Sequence, residues 1–305
     1  MDKATSFGLP FFYRVVLPGT IVVVLLSPLL GRVVRVLADP LQAVAGWVGL
    51  AVFAGIVIAA LDDPIYEVLE GRRLWPNWLY QWRRRRWQRY VNHLRATARR
   101  LPQTDWRYLE TWDRLRRFPT REDGTPVATR PTKLGNVLAS SEDYSLRVYG
   151  LHAVAYWERL WLVVPKDERE EIDRSAALAD GWTYVTAAVL FVGVFYVALA
   201  IGSAMLAAMR LPIALTADER IVAVYGGIAL VLAARLPYSL SLPEQARRGE
   251  TMKAMFDLYR ERLERIRVPA SPVERAEAER IGTWLVYGDG TPAPTEEEGR
   301  QNAAG

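Results

Sequence analysis

Long apolar stretches alternate with charge-dense segments along this chain. Four stretches carry no charged residue and predict helices: Val15–Gly31, Leu41–Leu61, Gly181–Met209 and Ile221–Ala234. A helix rises about 1.5 Å per residue, so about 20 apolar residues cross the roughly 30 Å hydrocarbon layer of a bilayer. The fourth stretch is short, but Arg235 can extend its guanidinium to the headgroups and no further charge follows before Pro243. We therefore predict an all-α integral membrane protein with four transmembrane helices in two hairpins and a helical cytoplasmic domain.

The distribution of arginine near the predicted spans indicates their orientation. Each short hairpin loop holds only two arginines, whereas the segment after the second span holds seven between Arg72 and Arg89. Segments rich in lysine and arginine are retained in the cytoplasm. We therefore predict a multi-pass protein of the cell (inner) membrane whose two termini and central region are cytoplasmic.

The same pattern predicts the domain organisation. The predicted segments are the first hairpin at residues 1–61 (spans about 15–31 and 41–61), the cytoplasmic domain at 62–180, the second hairpin at 181–243 (spans about 182–209 and 221–242), cytoplasmic C-terminal helices at 244–287 and a disordered tail at 288–305. Asp167 and Glu170 follow Pro165 as a helix start signal, and this helix can continue into the third span. The segment from Pro119 to Pro131 is rich in Pro, Gly and Thr, which predicts a mobile loop.

Small residues recur at four-residue spacing inside the predicted spans. These are Ala51, Gly55 and Ala59; Ala200, Ala204 and Ala208; and Ala223 and Gly227. Such stripes let helix backbones approach closely in lipid. We favour packing within the hairpins over a subunit interface. The predicted spans contain no acidic residue, which argues against an active transporter.

An acidic pair follows the second predicted span. Asp63 and Pro64 are typical of a helix N-cap followed by proline at the first helical position. Asp62 and Asp63 are also a possible metal-binding pair, but the cap explains Asp63 without a metal. We favour the cap.

An aromatic and arginine-rich segment comes next. Trp75, Trp78 and Trp82 are spaced to share one helical face, and the basic run consists of Arg83, Arg84, Arg85, Arg86 and Arg89. From Arg72 to Arg121 there are 15 arginines and three acidic residues, a net charge of +12. Alternating aromatic and basic side chains suit nucleic acid, but they also suit a juxtamembrane helix in an anionic headgroup layer. Because the bilayer is about a dozen residues away, we predict contact with the phospholipid bilayer and its anionic lipids, and not with nucleic acid.

Two other helices are predicted from apolar spacing. Trp106, Leu109 and Trp112, continued by Leu115 or Arg116, approximate an amphipathic face on a helix from about Thr104 to Arg117. A second pattern forms a two-heptad seam made of Met252, Phe256, Tyr259, Leu263 and Ile266. We expect this seam to dock on the cytoplasmic domain, with assembly of a homo-oligomer as the alternative.

The composition removes most catalytic chemistry. The chain has no cysteine and two histidines, and it lacks phosphate-binding glycine loops, H-E-x-x-H and G-x-S-x-G. We therefore predict no catalytic, cofactor-binding or metal site. A lipid-modifying enzyme that uses Glu142, Asp143 or the pair Asp62 and Asp63 remains an alternative.

Several short motifs follow the predicted loop. They include Thr132, the triplet Leu134, Gly135 and Asn136, then Glu142, the pair Tyr149 and Gly150, and Trp157-Glu158-Arg159-Leu160. With these motifs the chain resembles a family of bacterial four-pass membrane proteins without an established activity. Glu158 stands where that family usually has proline. The resemblance implies the architecture and a structural or interaction role for the motif residues.

These observations favour a non-enzymatic inner-membrane scaffold or interaction module that contacts anionic lipid and presents a surface to a cytoplasmic protein partner. The alternative is an oligomeric channel or membrane-permeabilising effector that is gated by the cytoplasmic domain. Small-residue faces, a helix continuous from domain to span and the heptad seam motivate this alternative.

Overall fold

The fold was obtained as a computed structural model, which describes residues 8–34, 40–121, 123–208 and 215–264. These ranges are helical and contain no β-strand, as the all-α prediction requires, with one isolated bridge between Thr120 and Pro126. A π-helical turn at Phe12–Val16 leads into the first of the α-helices. They are α1 (Leu17–Val34), α2 (Pro40–Ala60), α3 (Asp62–Glu70), α4 (Asn77–Arg100), α5 (Trp106–Leu115), α6 (Lys133–Tyr149), α7 (Ala153–Val163), α8 (Lys166–Ala208), α9 (Ala217–Ala233) and α10 (Arg235–Glu264).

Several helices are long and apolar enough to cross a membrane. Among the described residues, three satisfy both conditions: Gly8–Gly31, Lys166–Ser203 and Ala217–Tyr259. A fourth candidate is a bent pair, Val44–Ala60 and Asp62–Glu70, whose halves meet at 62°. The chain therefore has the features of a membrane protein with several spans, three or four in number.

The chain forms two compact units. The first contains the described parts of residues 1–75 and 170–248, and the second contains those of 76–169 and 249–305. Residues 62–75 and 170–180, which the sequence analysis placed in the cytoplasmic domain, pack in the first unit with the apolar helices.

Glycine allows very close helix packing within the first unit. A Cβ atom on Gly19 would overlap the carbonyl oxygen of Ala51, and one on Gly55 would overlap that of Val15. Between α8 and α9, Gly193 and Gly227 approach each other in the same way. The small-residue spacing at Ala51 and Gly55 and at Gly227 thus serves packing within the chain.

The second unit is built around the inner face of α4. Val91 and Leu94 of α4 are buried with Leu115, Phe118 and Ala128. The segment that was expected to be a mobile loop is fastened to α4 by hydrogen bonds. The backbone N–H of Ala128 donates to Gln88 (2.9 Å), the Tyr80 hydroxyl donates to the Thr129 carbonyl (3.0 Å) and the Trp87 indole donates to the Pro131 carbonyl (3.1 Å).

Two predicted helix starts were wrong. Helix α3 begins at Asp62 with Leu61 at the N-cap position, so Asp63 lies in the first turn and is not the cap. Helix α4 begins at Asn77 after Pro76, so Trp75 precedes the helix and shares no helical face with Trp78. Helix α3 thus begins two residues before Pro64, the predicted first helical residue, and α4 begins two residues after Trp75.

Candidate functional site

Helix α4 presents an exposed row of two tryptophans and two arginines, which we call the α4 stripe: Trp78, Trp82, Arg85 and Arg89. The spacing of four, three and four residues places these side chains on one side of the helix. Trp78 is 72% exposed and Trp82 is 53% exposed. The predicted grouping of tryptophan and arginine on α4 is thus an accessible surface, and Ala96 continues it one turn beyond His93.

The positive charge of α4 is not compensated by carboxylates. The helix contains eight arginines and no acidic residue. Across the described ranges, no carboxylate lies within ion-pair distance of an α4 arginine. Helix α5 differs, because Arg114 pairs with Glu110 at 2.6 Å and Asp113 pairs with both Arg116 and Arg117. The charge on α4 is therefore available to a partner, and that on α5 is largely satisfied.

The remaining predicted lipid-contact residues have different surroundings. Arg84 and Arg86 are exposed and Arg83 is half-buried. The Arg84 guanidinium also donates to the carbonyl of Ala128 at 3.4 Å. Trp75 is half-buried, and its indole donates to the carbonyl of Val68 at 2.9 Å. Trp75 thus belongs to the packing around α3.

A second exposed aromatic face lies on α5. Trp106, Leu109 and Trp112 are 67%, 62% and 45% exposed, whereas Leu115 on the other side is 1% exposed. The sequence spacing found this amphipathic helix but did not reveal which side faces the core. The buried side is Thr111 and Leu115, so Leu115 does not share the exposed face with which the sequence analysis grouped it.

The motif residues at the start of α6 close a loop. The Thr132 hydroxyl accepts a hydrogen bond from the Gly135 amide and thereby caps the helix. Asn136 is fully buried, and its side-chain oxygen accepts from the amides of Thr129 (2.9 Å) and Arg130 (3.1 Å). Its amide group donates to the carbonyls of Arg130 (2.8 Å) and Thr132 (2.6 Å). Because a buried amide must be satisfied, these four bonds give Asn136 a structural role.

The other motif residues end α6 and build α7. Gly150 has φ of 69° and stops α6 directly after Tyr149, a conformation that glycine adopts without a steric penalty. Leu134 is fully buried. On α7, the Arg159 guanidinium lies 5.4 Å from the centroid of the Tyr156 ring, and Trp157 packs on Trp161. The exposed side chain of Glu158 stands next to Arg159 in the sequence.

Helix α6 carries the two carboxylates of the lipid-modifying alternative. Glu142 and Asp143 are adjacent and half-buried. Burial, reinforced by the negative charge of Glu142, raises the pKa of Asp143 above its ordinary value, while Arg130 and His152 act in the opposite direction. This environment increases the neutral fraction of Asp143 at a given pH relative to a solvated aspartate.

The predicted seam packs within the second unit. Phe256 and Tyr259 are buried and Met252 is half-buried. The Tyr259 hydroxyl donates to Glu168 at 2.5 Å. Leu263 lies in the last turn of α10, and Ile266 lies outside the described residues. The preferred role of the seam, docking on neighbouring helices of the same chain, agrees with this burial.

Asp257, between the two buried seam residues, accepts hydrogen bonds from two tyrosines of α6. The Tyr149 hydroxyl donates to it at 2.5 Å and the Tyr144 hydroxyl at 2.9 Å. These bonds connect α10 to the end of α6, where the motif pair Tyr149 and Gly150 stands. Tyr149 therefore has a docking contact of its own.

The first unit contains a polar cluster that the sequence did not reveal, which we call the Asp180 network. Asp180 of α8 is 5% exposed. It accepts hydrogen bonds from the Arg14 guanidinium (2.9 Å), the Tyr66 hydroxyl (2.7 Å) and the Arg248 guanidinium (2.7 Å). One carboxylate thus joins the π-helical turn, α3 and α10 to α8.

Further polar contacts extend the Asp180 network. Arg14 also pairs with Asp173 at 2.8 Å. Gln245 is fully buried, and its amide group donates to the hydroxyls of Tyr66 and Thr183. Asp62 accepts from the Tyr184 hydroxyl at 2.8 Å. Within the part of the chain that the structure describes, no three histidine, cysteine or acidic side chains are grouped to hold a metal.

The Asp180 network escaped the sequence analysis because its members are far apart in the chain. Arg14 and Asp180 are 166 residues apart, and each is a single charge next to an apolar stretch. In sequence, both residues read as boundaries of predicted spans. Only the fold shows that these boundary charges meet.

Comparison of the chain with protein-family models, with curated proteins and with solved structures finds no match. The resemblance to bacterial four-pass membrane proteins therefore stays a prediction.

Proposed function

We propose that this protein is a non-enzymatic, multi-pass protein of the inner membrane that acts as a scaffold or interaction module and contacts anionic lipid through α4. The observation that carries the proposal is the α4 stripe on a helix with eight arginines and no carboxylate partner among the described residues. Exposed tryptophan side chains gain free energy from contact with an apolar surface, and arginines without carboxylate partners gain it from contact with anions. A partner that is anionic and partly apolar therefore fits this surface.

A lipid headgroup layer meets both requirements. Tryptophan is favoured at the membrane–water interface because its ring is amphipathic, and arginine near the surface gains about 1 kcal/mol from anionic lipid. Trp78 follows the end of the bent candidate span at Glu70 by only eight residues. This short connection favours lipid over nucleic acid as the partner. With the positive charge on α4, the same logic supports a cytoplasmic position for this segment and for both termini.

The experiment uses the full chain, whose lack of cysteine allows labelling of one introduced cysteine. A nitroxide at Ala96→Cys reports on the α4 stripe, and one at Thr104→Cys reports on an exposed site outside it. The protein is placed in nanodiscs of phosphatidylcholine with or without phosphatidylglycerol. We expect phosphatidylglycerol to reduce collisions of the Ala96 label with a water-soluble nickel relaxant, and to leave the Thr104 label unchanged.

Two double variants test whether the effect of phosphatidylglycerol on the Ala96 label depends on the arginines of the α4 stripe. Replacing Arg85 and Arg89 by Gln removes two charges from the α4 stripe, whereas replacing Arg114 and Arg116 by Gln removes two charges that already have carboxylate partners. Only the first change is expected to abolish the effect of phosphatidylglycerol on the Ala96 label. Equal collision rates in both lipids for the unmodified stripe would overturn the lipid part of the proposal.

The Asp180 network supports a second candidate function, an oligomeric channel gated from the cytoplasmic region. Asp180 and Arg248 lie on α8 and α10, and each of these helices contains residues of both compact units. Ion flux into liposomes that contain the full chain, increased by Asp180→Asn, would favour a channel. A monomeric mass in nanodiscs together with zero flux from both proteins would rule it out.

A further inference from the structure

The second unit contains a cleft of about 400 Å³ that is separate from the α4 stripe. The end of α4, the connection from α4 to α5, one side of α5 and the segment from Asp123 to Pro126 form its walls. Its size falls within the range of small-molecule sites, roughly 300–1,000 Å³. Its charged, amide and aromatic lining residues are Arg95, Arg99, Gln103, Tyr108, Trp112 and Asp123.

One wall of the cleft is cationic. Arg95 and Arg99 are four residues apart on α4, so their guanidinium groups project from the same side of the helix. Neither has a carboxylate within ion-pair distance among the residues that the structure describes. Asp123 of the same cleft interacts with Arg95 electrostatically without forming an ion pair. Two adjacent guanidinium groups match the charge and geometry of a phosphate group.

The opposite wall offers hydrogen-bond acceptors for hydroxyl groups. Asp123 uses its Oδ1 atom to accept from the amide and the hydroxyl of Thr125, at 2.9 and 2.6 Å. Its Oδ2 atom makes neither of these bonds. The side-chain amide of Gln103 lines the same space. The charged side chains among the described residues that line the cleft sum to +1, which one phosphodiester with an uncharged polyol would neutralise.

The rim of the cleft is aromatic and continues onto an apolar surface. The rings of Tyr108 and Trp112 pack edge to face with centroids 6.4 Å apart. Trp112 also belongs to the exposed face of α5, together with Leu109 and Trp106. If the polar end of a ligand occupies the cleft, the rest of that ligand lies against this apolar surface.

We propose that this cleft binds the polyol-phosphate headgroup of an anionic glycerophospholipid, with Arg95 and Arg99 on the phosphate, Asp123 on the headgroup hydroxyls, and the acyl region against Trp112 and Leu109. The inference deepens the proposed lipid contact by giving it one defined headgroup site, but it depends on different residues from the α4 stripe. The two ideas can therefore fail independently.

Native mass spectrometry of the full chain in detergent counts the lipids that stay bound. The probes are phosphatidylglycerol, phosphatidic acid, which lacks the headgroup polyol, and phosphatidylcholine. We expect one retained phosphatidylglycerol, bound more tightly than either other lipid. Arg95→Gln with Arg99→Gln is expected to weaken its binding at least about tenfold, the effect of losing charge-assisted hydrogen bonds worth about 1.4 kcal/mol.

Arg114→Gln with Arg116→Gln is the control, because it removes two arginines that pair with carboxylates and lie outside both the cleft lining and the α4 stripe. This variant is expected to keep the bound phosphatidylglycerol. Equal loss in both double variants would show a diffuse charge effect and overturn the headgroup site. Retention of the lipid by the Arg95 and Arg99 variant would overturn it as well.

The polyol contact is tested through Asp123→Asn, which keeps an oxygen for the Thr125 bonds and removes the carboxylate. We expect this variant to lose the preference for phosphatidylglycerol over phosphatidic acid, and an unchanged preference would contradict the assigned role of Asp123. Glycerol 1-phosphate is the soluble probe. If it binds the cleft as tightly as the lipid does, the ligand is a soluble phosphate ester and the lipid proposal is wrong.

Discussion

Arginine has opposite surroundings in the two units. In the first unit, Arg14 and Arg248 share the buried carboxylate of Asp180 at 2.9 and 2.7 Å. In the second unit, α4 carries eight arginines and has no carboxylate partner within the described ranges. Removing a guanidinium from water costs several kcal/mol, so a partly buried one requires an internal counter-ion. An exposed guanidinium stays solvated and can pair with an external partner.

This difference separates stability from binding. Arg14 and Arg248 connect helices through the buried carboxylate of Asp180 and should be sensitive to its loss. The arginines of α4 contribute little to folding and should be sensitive only to the surroundings of the protein. Composition alone, with 35 arginines among 305 residues, gives no sign of this division.

The largest effect is expected from Asp180→Asn. The change removes the carboxylate that pairs with Arg248, leaves Arg14 with Asp173 alone, and replaces one acceptor oxygen of the network by an NH2 donor. Breaking a buried ion pair costs roughly 3–5 kcal/mol, and we expect about 3 kcal/mol because both guanidinium groups are partly exposed. Thermal unfolding of the full chain in detergent measures the loss. Asp63→Asn, at an exposed position two residues after Leu61, is the control, and equal thermal midpoints for the two variants would contradict the assigned role of Asp180.

An effect of about 2 kcal/mol is expected from Gly55→Ala, which adds no charge and removes none. Its Cβ atom would overlap the carbonyl oxygen of Val15 and push the first helix away from α2. Gly49→Ala lies on the same helix, and its Cβ atom would meet no atom within 4 Å. The two variants should therefore differ in thermal midpoint. If both leave the midpoint unchanged, the close approach of the helices is wrong.

A smaller and pH-dependent effect is expected from Asp143→Asn in the second unit. Because burial and Glu142 raise the Asp143 pKa above 3.8, the folded protein favours the neutral acid. This residue's contribution to stability is fully present below the unfolded-state pKa and is lost as pH rises through the folded-state pKa. The variant should be more stable than the parent at pH 7, and the difference should shrink as pH falls toward 4. A difference that is constant between pH 4 and pH 7 would contradict this.

The smallest effect on stability, and one of opposite sign, is expected from Arg85→Gln with Arg89→Gln. Removing like charges from one helix face should stabilise the chain in detergent by a few tenths of a kcal/mol, because like charges four residues apart repel. The same thermal measurement in low and high salt tests this, since screening should remove the gain. A loss of stability above about 1 kcal/mol would show that these arginines have an internal partner and would end the contrast between the two units.

The sequence predicted what depends on neighbouring residues. The apolar stretches led to α1, α2, α8 and α9, and the run from Trp78 to Arg89 led to the exposed face of α4. Helix starts were predicted less accurately, since Asp63 had the chemistry of a cap but α3 begins two residues earlier than predicted, with Leu61 at the N-cap position. Periodicity identifies a face without saying whether core or solvent meets it, which is why the exposure of Trp106 and Trp112 was missed.

Contacts between distant residues were beyond the reach of the pattern. Asp180 and Gln245 stand next to apolar stretches and look like ordinary boundary residues, although the fold buries both. Asn136 shows the opposite case, because its bonds to Thr129, Arg130 and Thr132 are local and the resemblance had already singled it out. A single sequence reveals hydrogen bonds between neighbouring residues more readily than those between distant residues.

The separation of Arg14 from Asp180 has a consequence for biosynthesis. The two residues are 166 positions apart, so at about 5–20 residues per second the ribosome makes Asp180 roughly 8–33 s after Arg14. During that interval α1 and α2 have already been made, while the guanidinium of Arg14 has no counter-ion from α8. Its position at the edge of the apolar stretch lets it reach the headgroups until α8 arrives. The ion pair with Asp180 is therefore a late, assembly-completing contact, which forms only after more than half of the chain has been synthesised.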